Sequence, residues 1–259
     1  YEDARKFFRP DLSDLHDPFL MADMDKAVER LSAAMHRNEK ILIYGDYDVD
    51  GTTSVSLVYK FLKQFYSNVG FYIPDRYNEG YGISIQGIDY AAANDFKLVI
   101  ALDCGIKAVE KVKYATSLGV DFVIRDHHTP DEVLPPAVAV LDPKRDDCNY
   151  PYKHLSGCGV GFKFMQAFSQ INNIDLSQLT PLLDLMALSI ASDIVPITGE
   201  NRILAFYGLK QINSHPSVGL KSILDICGLG DKEITISDIV FKIGPRINAS
   251  GRMKLASEA

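Results

Sequence analysis

The stretch ILIYGDYDVDG (41–51) runs from four apolar residues into a turn carrying Asp46, Asp48 and Asp50 at alternate positions. An apolar run this short reads as a strand buried on both faces, the pattern of a parallel sheet covered by helices. The next segment, TTSVSLVYKFLKQF (52–65), has helical character, with Thr52 or Thr53 placed to cap it. Strand-like runs recur at 69–74, 98–103, 121–125 and 137–143. Helical patterns lie near 85–93 and over 106–119. Before the first strand, Met24, Val28, Leu31 and Met35 share one face of a helix. From residue 159 the pattern is mostly helical, over 159–171, 179–191, 201–213 and 217–226. The expected fold class is α/β: a mainly parallel sheet flanked by helices, with a mostly helical C-terminal portion.

In open α/β sheets, ligands bind beyond the carboxyl ends of the strands. After 41–44 come Asp46, Asp48 and Asp50. After 98–102 comes Asp103, and after 121–125 come Asp126, His127 and His128. Three strands therefore deliver acid or imidazole to one sheet edge. Each residue alone has an ordinary reading: a D-x-D turn, a helix cap, a surface histidine pair. Their convergence is what indicates a site. Carboxylates packed together repel each other and resist ionisation unless a cation sits among them. Carboxylate oxygen with imidazole suits Mn²⁺ or Mg²⁺. Two such metals, roughly 3.5–4 Å apart, activate water for attack on phosphorus. Gly51 lets the backbone turn tightly beside the acids.

The chain has 259 residues, enough for one large domain or two small ones. Nothing in it is long and apolar enough to span a membrane. Four cysteines without C-x-x-C spacing argue against a zinc site or a disulfide framework and favour the cytoplasm. The net charge of −7 argues little about partners, because divalent metals among the aspartates would offset much of it. The start at Tyr1 and the end at LASEA lead us to expect a piece of a longer protein.

Further motifs have phosphate chemistry. SGCGVG (156–161) opens a helix, where Ser156 and Gly157 offer either a plain cap or free N–H groups for an anion. Arg76 sits in the glycine-rich loop RYNEGYGIS (76–84), and an arginine fork suits phosphate. GPRINASGRM (244–253) reads as a loop presenting Arg246, Asn248 and Arg252 to a nucleic-acid backbone. Tyr77 and Tyr81 either stack on bases or pack the loop. Phe162, Phe164, Met165 and Phe168 read as core.

GDYDVDGTTS, ALDCGI, RDHH and ASDIVPITGENR resemble the four motifs of the DHH phosphoesterase superfamily. GPRINASGRM, IPDRYNEGYGIS and LSGCGVGFKFMQAF are similar to its RecJ-type branch of single-strand-specific 5′→3′ exonucleases, from about residue 15 onward. The resemblance implies a metal-dependent nuclease of DNA repair and recombination acting on single-stranded DNA with a 5′ end. It implies Mn²⁺ or Mg²⁺, two divalent metals, and a single-strand-binding protein or helicase as partner. Asp48, Asp50, Asp103, His127 and Asp193 match metal ligands, with Asp103 bridging. Asp46 matches a supporting acid or a further ligand. His128 matches the residue that polarises the scissile phosphate or protonates the leaving oxygen, beside Asp126 in the third motif. Arg76 matches a residue facing the 5′ end.

Two positions depart from the family pattern. Tyr44 stands where a histidine is common, so the first metal site is expected to be weaker or completed by Asp46. Arg125 stands where a small residue is usual, either pairing with a site carboxylate or closing the strand. The implied organisation is one catalytic domain over 1–259, with an α/β metal-site core (1–195) and a helical extension (196–259). The DHH-associated and OB domains are expected to be absent from this chain. The alternatives are a DHH enzyme for short oligonucleotides or other small phosphoesters, and a non-catalytic scaffold.

Overall fold

The computed structural model describes residues 7–253, with the side chains of 252 and 253 excepted. Helix α1 (Met24–His36) precedes β1 (Lys40–Gly45), followed by α2 (Val49–Lys63), β2 (Val69–Tyr72), α3 (Ile85–Ala93) and β3 (Phe96–Leu102). Then come α4 (Val109–Ser117), β4 (Asp121–Arg125), β5 (Ala139–Leu141) and α5 (Gly157–Ile171). The C-terminal portion is helical: α6 (Leu183–Ser192), α7 (Gly199–Ser214) and α8 (Val218–Ile226). A turn at Ile236–Asp238 and a π-helical turn at Ile239–Ile243 lead into α9 (Gly244–Met253).

The five strands pair in parallel in the order β2-β1-β3-β4-β5. The order reverses between β1 and β3, so the crevice at their carboxyl ends is the natural ligand position. Register aligns those ends: Gly45 faces Leu102, Leu102 faces Arg125, and Arg125 faces Leu141. Side chains alternate between two cores. Ile41 and Ile43 point into the larger one, with α1, α2 and α5–α8, while Leu42 and Tyr44 join the smaller one beside α3 and α4. Met24, Val28 and Leu31 are buried as their spacing predicts, as are Phe162, Phe164, Met165 and Phe168.

Helix α5 is buried almost throughout, between the sheet and the C-terminal helices. Its Lys163 is fully buried, 3.1 Å from Glu200, and donates to the His16 carbonyl at 2.6 Å. Tyr150 donates to the other Glu200 oxygen at 2.6 Å. The network joins the N-terminal segment, α5 and α7 with its charges paired, the condition under which buried ions are tolerated.

Several local expectations are corrected. Helix α2 begins at Val49 and its cap is Asp48, whose side chain accepts from Gly51 N–H; Thr52 and Thr53 lie inside the helix. The strand expected over 137–143 is confined to Ala139–Leu141. GPRINASGRM is a helix, not a loop: it continues a helical segment already running from residue 236 through the π-helical turn at Ile239–Ile243, and Pro245 directly follows that turn. Among the described residues, Arg125 has no carboxylate partner. Its guanidinium is fully buried, 4.3 Å from the centre of the Phe164 ring, and burial holds its pKa well below the usual value.

Candidate active site

Asp50 lies in the first turn of α2 and is buried. Its carboxylate accepts from Gly157 N–H at 2.7 Å, Cys158 N–H at 2.9 Å and Ser189 Oγ at 2.7 Å. The start of α5 therefore cradles an anion, as helix N-termini do, but the anion is an aspartate of this chain. Ser156 and Gly157, expected to contact substrate, are buried beneath that carboxylate; Ser156 caps α5 by accepting from Gly159 N–H. A Cβ on Gly157 would overlap the Asp103 carboxylate, and one on Gly51 would sit 2.5 Å from the Asp46 carbonyl oxygen. These two glycines permit the close packing of the acids.

Asp103 follows β3 in left-handed backbone conformation, φ 58°, a strained state for a non-glycine residue that recurs at functional sites. Its N–H donates to the Arg125 carbonyl at 2.8 Å, which pins the strained residue to β4. Burial, then the charges of Asp50 and Asp48, push its carboxyl well above the usual range.

His127 Nδ1 lies 3.1 Å from the Leu155 carbonyl oxygen. A carbonyl only accepts, so Nδ1 carries the proton and Nε2 presents its lone pair. That lone pair faces Asp103 Oδ1 at 3.2 Å, Asp193 Oδ2 at 3.6 Å and Asp50 Oδ2 at 3.7 Å. Burial holds the His127 pKa below its ordinary value. Both Nε2 and Asp103 Oδ1 are buried and have no hydrogen-bond partner among the described residues. A neutral acceptor facing three carboxylates is unfavourable unless a cation lies between them. Among the described residues, two groups have donor atoms within 4.8 Å of one another, Asp50–His127–Asp193 and Asp103–His127–His128. A cavity of about 30 Å³, the scale of one ion or water, lies among Asp48, Asp50, Asp193 and Asn248. The donor set fits a divalent metal of the Mn²⁺/Mg²⁺ type.

The other acids differ in surroundings. Asp48 is half-buried at the α2 cap. Asp193, at the end of α6, is pushed up to about 7, by burial first and then by Asp50 and Asp48. Asp46 is fully buried and accepts from Tyr47 N–H at 2.8 Å; burial pushes it up to about 7. Tyr44 points away from these acids. Its hydroxyl donates to the Gly82 carbonyl at 2.9 Å and accepts from Ser84 N–H at 3.0 Å, and its ring stacks on Tyr72.

Asp126 is buried and holds its neighbours in place. Its Oδ1 accepts from the N–H groups of His127 and His128 and lies 2.7 Å from His128 Nδ1, while Oδ2 accepts from Ile106 N–H. Burial alone would raise its pKa; the hydrogen bond from His128 and the backbone donors outweigh it and lower it. His128, hydrogen-bonded to Asp126, has its pKa raised. Its Nδ1 is occupied, so Nε2 is the atom turned outward.

An outer ring surrounds this layer. The Arg76 guanidinium lies 5.1 Å from the Tyr47 ring centre, Tyr47 packs edge-on to Tyr81 at 6.1 Å, and Tyr81 packs edge-on to His128 at 6.4 Å. Glu79 organises this loop, accepting from Ser84 Oγ at 2.5 Å, Tyr72 OH at 2.9 Å and Asp75 N–H at 2.8 Å. Tyr77 is three-quarters exposed. On α9, Asn248 Oδ1 accepts from Val49 N–H at 3.1 Å, joining this helix to the aspartate turn. Arg246 folds back along its own helix, donating to the Lys242 carbonyl at 2.6 Å. The Arg252 side chain lies outside the described residues.

Sequence reading missed Ser189, Tyr47, Glu79 and the Leu155 carbonyl. Ser189 had a signal: it precedes Asp193 by four residues and so shares its helix face. The Leu155 carbonyl had none.

A parallel sheet whose switch point carries buried carboxylates around an unprotonated imidazole nitrogen defines a metal-site α/β protein. The chain belongs to the DHH family: residues 40–190 match the DHH family, N-terminal domain. It is 40% identical over 259 residues to the single-stranded-DNA-specific exonuclease RecJ of Bacillus subtilis (strain 168), covering all of this chain and 32% of the relative. It is 36% identical over 244 residues to the RecJ of Escherichia coli (strain K12), covering 90% and 42%. The fold is similar to a crystal structure of exonuclease RecJ bound to manganese, with TM-score 0.83 and 28% identity, over 96% of this chain and 61% of that one. A RecJ from Thermus thermophilus in complex with Mn²⁺ gives TM-score 0.82 and 26% identity, over 98% and 36%. The chain thus spans well under half the length of the two curated relatives.

Proposed function

We propose that this chain is the metal-dependent catalytic part of a 5′→3′ exonuclease that hydrolyses single-stranded DNA. One observation carries the reading: the His127 Nε2 lone pair lies within 3.2–3.7 Å of Asp103, Asp193 and Asp50. The relatives' names supply the substrate class, and the manganese-bound RecJ structures support Mn²⁺ as the metal. Asp48, Asp50, Asp103, His127 and Asp193 are the proposed ligands, with Asp46 in support. When bound, divalent metal supplies an activated water and offsets charge developing on the phosphoryl oxygens.

The chain's own residues divide the remaining work. The donors around Asp50 and the Leu155 carbonyl on His127 fix the ligands before substrate arrives. Asp126 orients His128 and raises its proton affinity, so that Nε2–H protonates the departing 3′-oxygen of the terminal nucleotide. Arg76 and Asn248 face the DNA backbone, with Arg252 and Arg246 as further candidates on α9.

Within this reading, 1–195 form the metal-site core and 196–259 a helical extension that brings Asn248 onto it, residues 1–6 and 254–259 lying outside the described residues. The setting is DNA repair and recombination in the cytoplasm, with a single-strand-binding protein or helicase exposing the strand. Among the described residues, no helix is long and apolar enough to cross a membrane.

Digestion of a single strand of about twenty nucleotides in Mn²⁺, beside a dinucleotide, tests the proposal. Mononucleotides released stepwise from the 5′ end of the long strand are the expected result. Cleavage of the dinucleotide alone, by the longer protein as well as by this chain, would replace it with a small-phosphoester activity.

A further inference from the structure

A cavity of about 450 Å³ opens beside His128. Ligand cavities begin at roughly 300 Å³. Its lining is largely apolar, with Ile83, Ile106, Ala108 and Val109 among the wall residues and Tyr81 at the edge. Asp126 and His128 line it too, so it is continuous with the proposed reaction centre. The lysines and the glutamate around it each have a partner. Lys107 pairs with Asp131 at 3.0 Å, Glu110 with Lys113 at 2.7 Å, and Lys111 donates to the Ile83 carbonyl at 2.5 Å.

We infer that this cavity receives the base of the departing 5′-terminal nucleotide. The inference rests on the exonuclease reading and deepens it. Hydrolysis adds water's oxygen to phosphorus, breaks the P–O3′ bond, and returns a proton to O3′. The remaining strand keeps the phosphate, and the terminal nucleotide leaves as the alcohol. The protonated oxygen therefore belongs to the departing nucleotide. The cavity shares Asp126 and His128 with the reaction centre, so a nucleotide whose O3′ lies at that centre has the cavity as the adjoining space for its base. Apolar walls with their charged groups already paired offer contact to the face of any base and no reading of its edge. The site accepts all four bases and distinguishes a base from none, as stacking sites do.

The test uses Val109→Trp, which fills the cavity from its wall and touches no proposed ligand, with Ala108→Phe as a second filling variant. Each is compared with wild type in Mn²⁺ on two strands, one ending 5′ in a normal nucleotide and one in an abasic tetrahydrofuran residue. In parallel, calorimetry measures binding of dAMP and of deoxyribose 5-phosphate. Wild type is expected to release the normal terminus about tenfold faster than the abasic one, and to bind dAMP about tenfold more tightly than the sugar phosphate. Either filling variant, folded by circular dichroism and still binding Mn²⁺, should abolish both differences. Cleavage by wild type with no preference for the normal terminus would overturn the base pocket and leave the nuclease reading standing. Cavity-dependent dAMP binding without cleavage of any strand would do the reverse. Loss of both would overturn both.

Discussion

Asp50, Asp103 and His127 are buried at the strand-end layer, each tied to main-chain groups, whereas Arg76, Tyr81 and Arg246 are exposed on a loop and on the last helix. Asp50 has three donors, His127 one carbonyl, and Asp103 a backbone bond across to β4. The outer residues are held by rings and by their own helix: Arg76 over Tyr47, Tyr81 against His128, Arg246 on the Lys242 carbonyl. The inner layer is preorganised, as charge chemistry requires. On the proposed function, the outer ring is the part that meets the strand. Chemistry and grip should therefore respond differently to mutation.

Asp126→Asn should give the largest of the separable effects. The amide removes the carboxylate charge beside His128 and sets an N–H₂ against at least one of the N–H donors that Asp126 now accepts from. Turnover should fall by about 10–100-fold, as for other supporting groups, while Mn²⁺ affinity changes far less. Steady-state kinetics with parallel metal titration checks this; an equal fall in metal affinity would place Asp126 among the ligands.

Arg76→Ala should act in the opposite sense. KM for a long strand should rise several-fold with kcat kept, and the slope of log affinity against log salt should shrink by about one. A loss confined to kcat would move Arg76 from grip to chemistry.

The smallest effect is on stability. Without metal, Asp46 and Asp193 titrate near 7 in the folded protein against an ordinary 3.8, burial being the first cause in each. Between those values the folded state holds more protons than the unfolded one, so stability falls as pH rises from about 4 to about 7. The melting temperature in EDTA should be lower at pH 7.5 than at pH 5, and Mn²⁺ should raise it more at pH 7.5. An equal gain at both values would mean that the metal does not relieve these acids.

The inner layer is largely legible in sequence, because it depends on where strands stop. Apolar runs at 41–44, 98–102 and 121–125 mark strands, and parallel packing obliges their following residues to meet. Arrangements set by tertiary packing are not legible. SGCGVG has the composition of an anion-holding helix start, but only the fold shows that Asp50 fills it. GPRINASGRM has the composition of a loop, and its helical state comes from continuity with the turn before it. Tyr44 stands in a ligand's usual place, yet its hydroxyl holds Gly82 and Ser84, in the loop that carries Tyr81. Arg125 stands next to the acids in sequence, yet it lies over Phe164 inside the larger core.

The most direct test of the account is a Mn²⁺ titration followed by electron paramagnetic resonance, on wild type and on Asp103→Ala. The account predicts that wild type removes the free-ion signal stoichiometrically, and that the variant, still folded, does so much more weakly. Equal binding by the two proteins, or none by wild type, would contradict a metal centre built on Asp103 and His127.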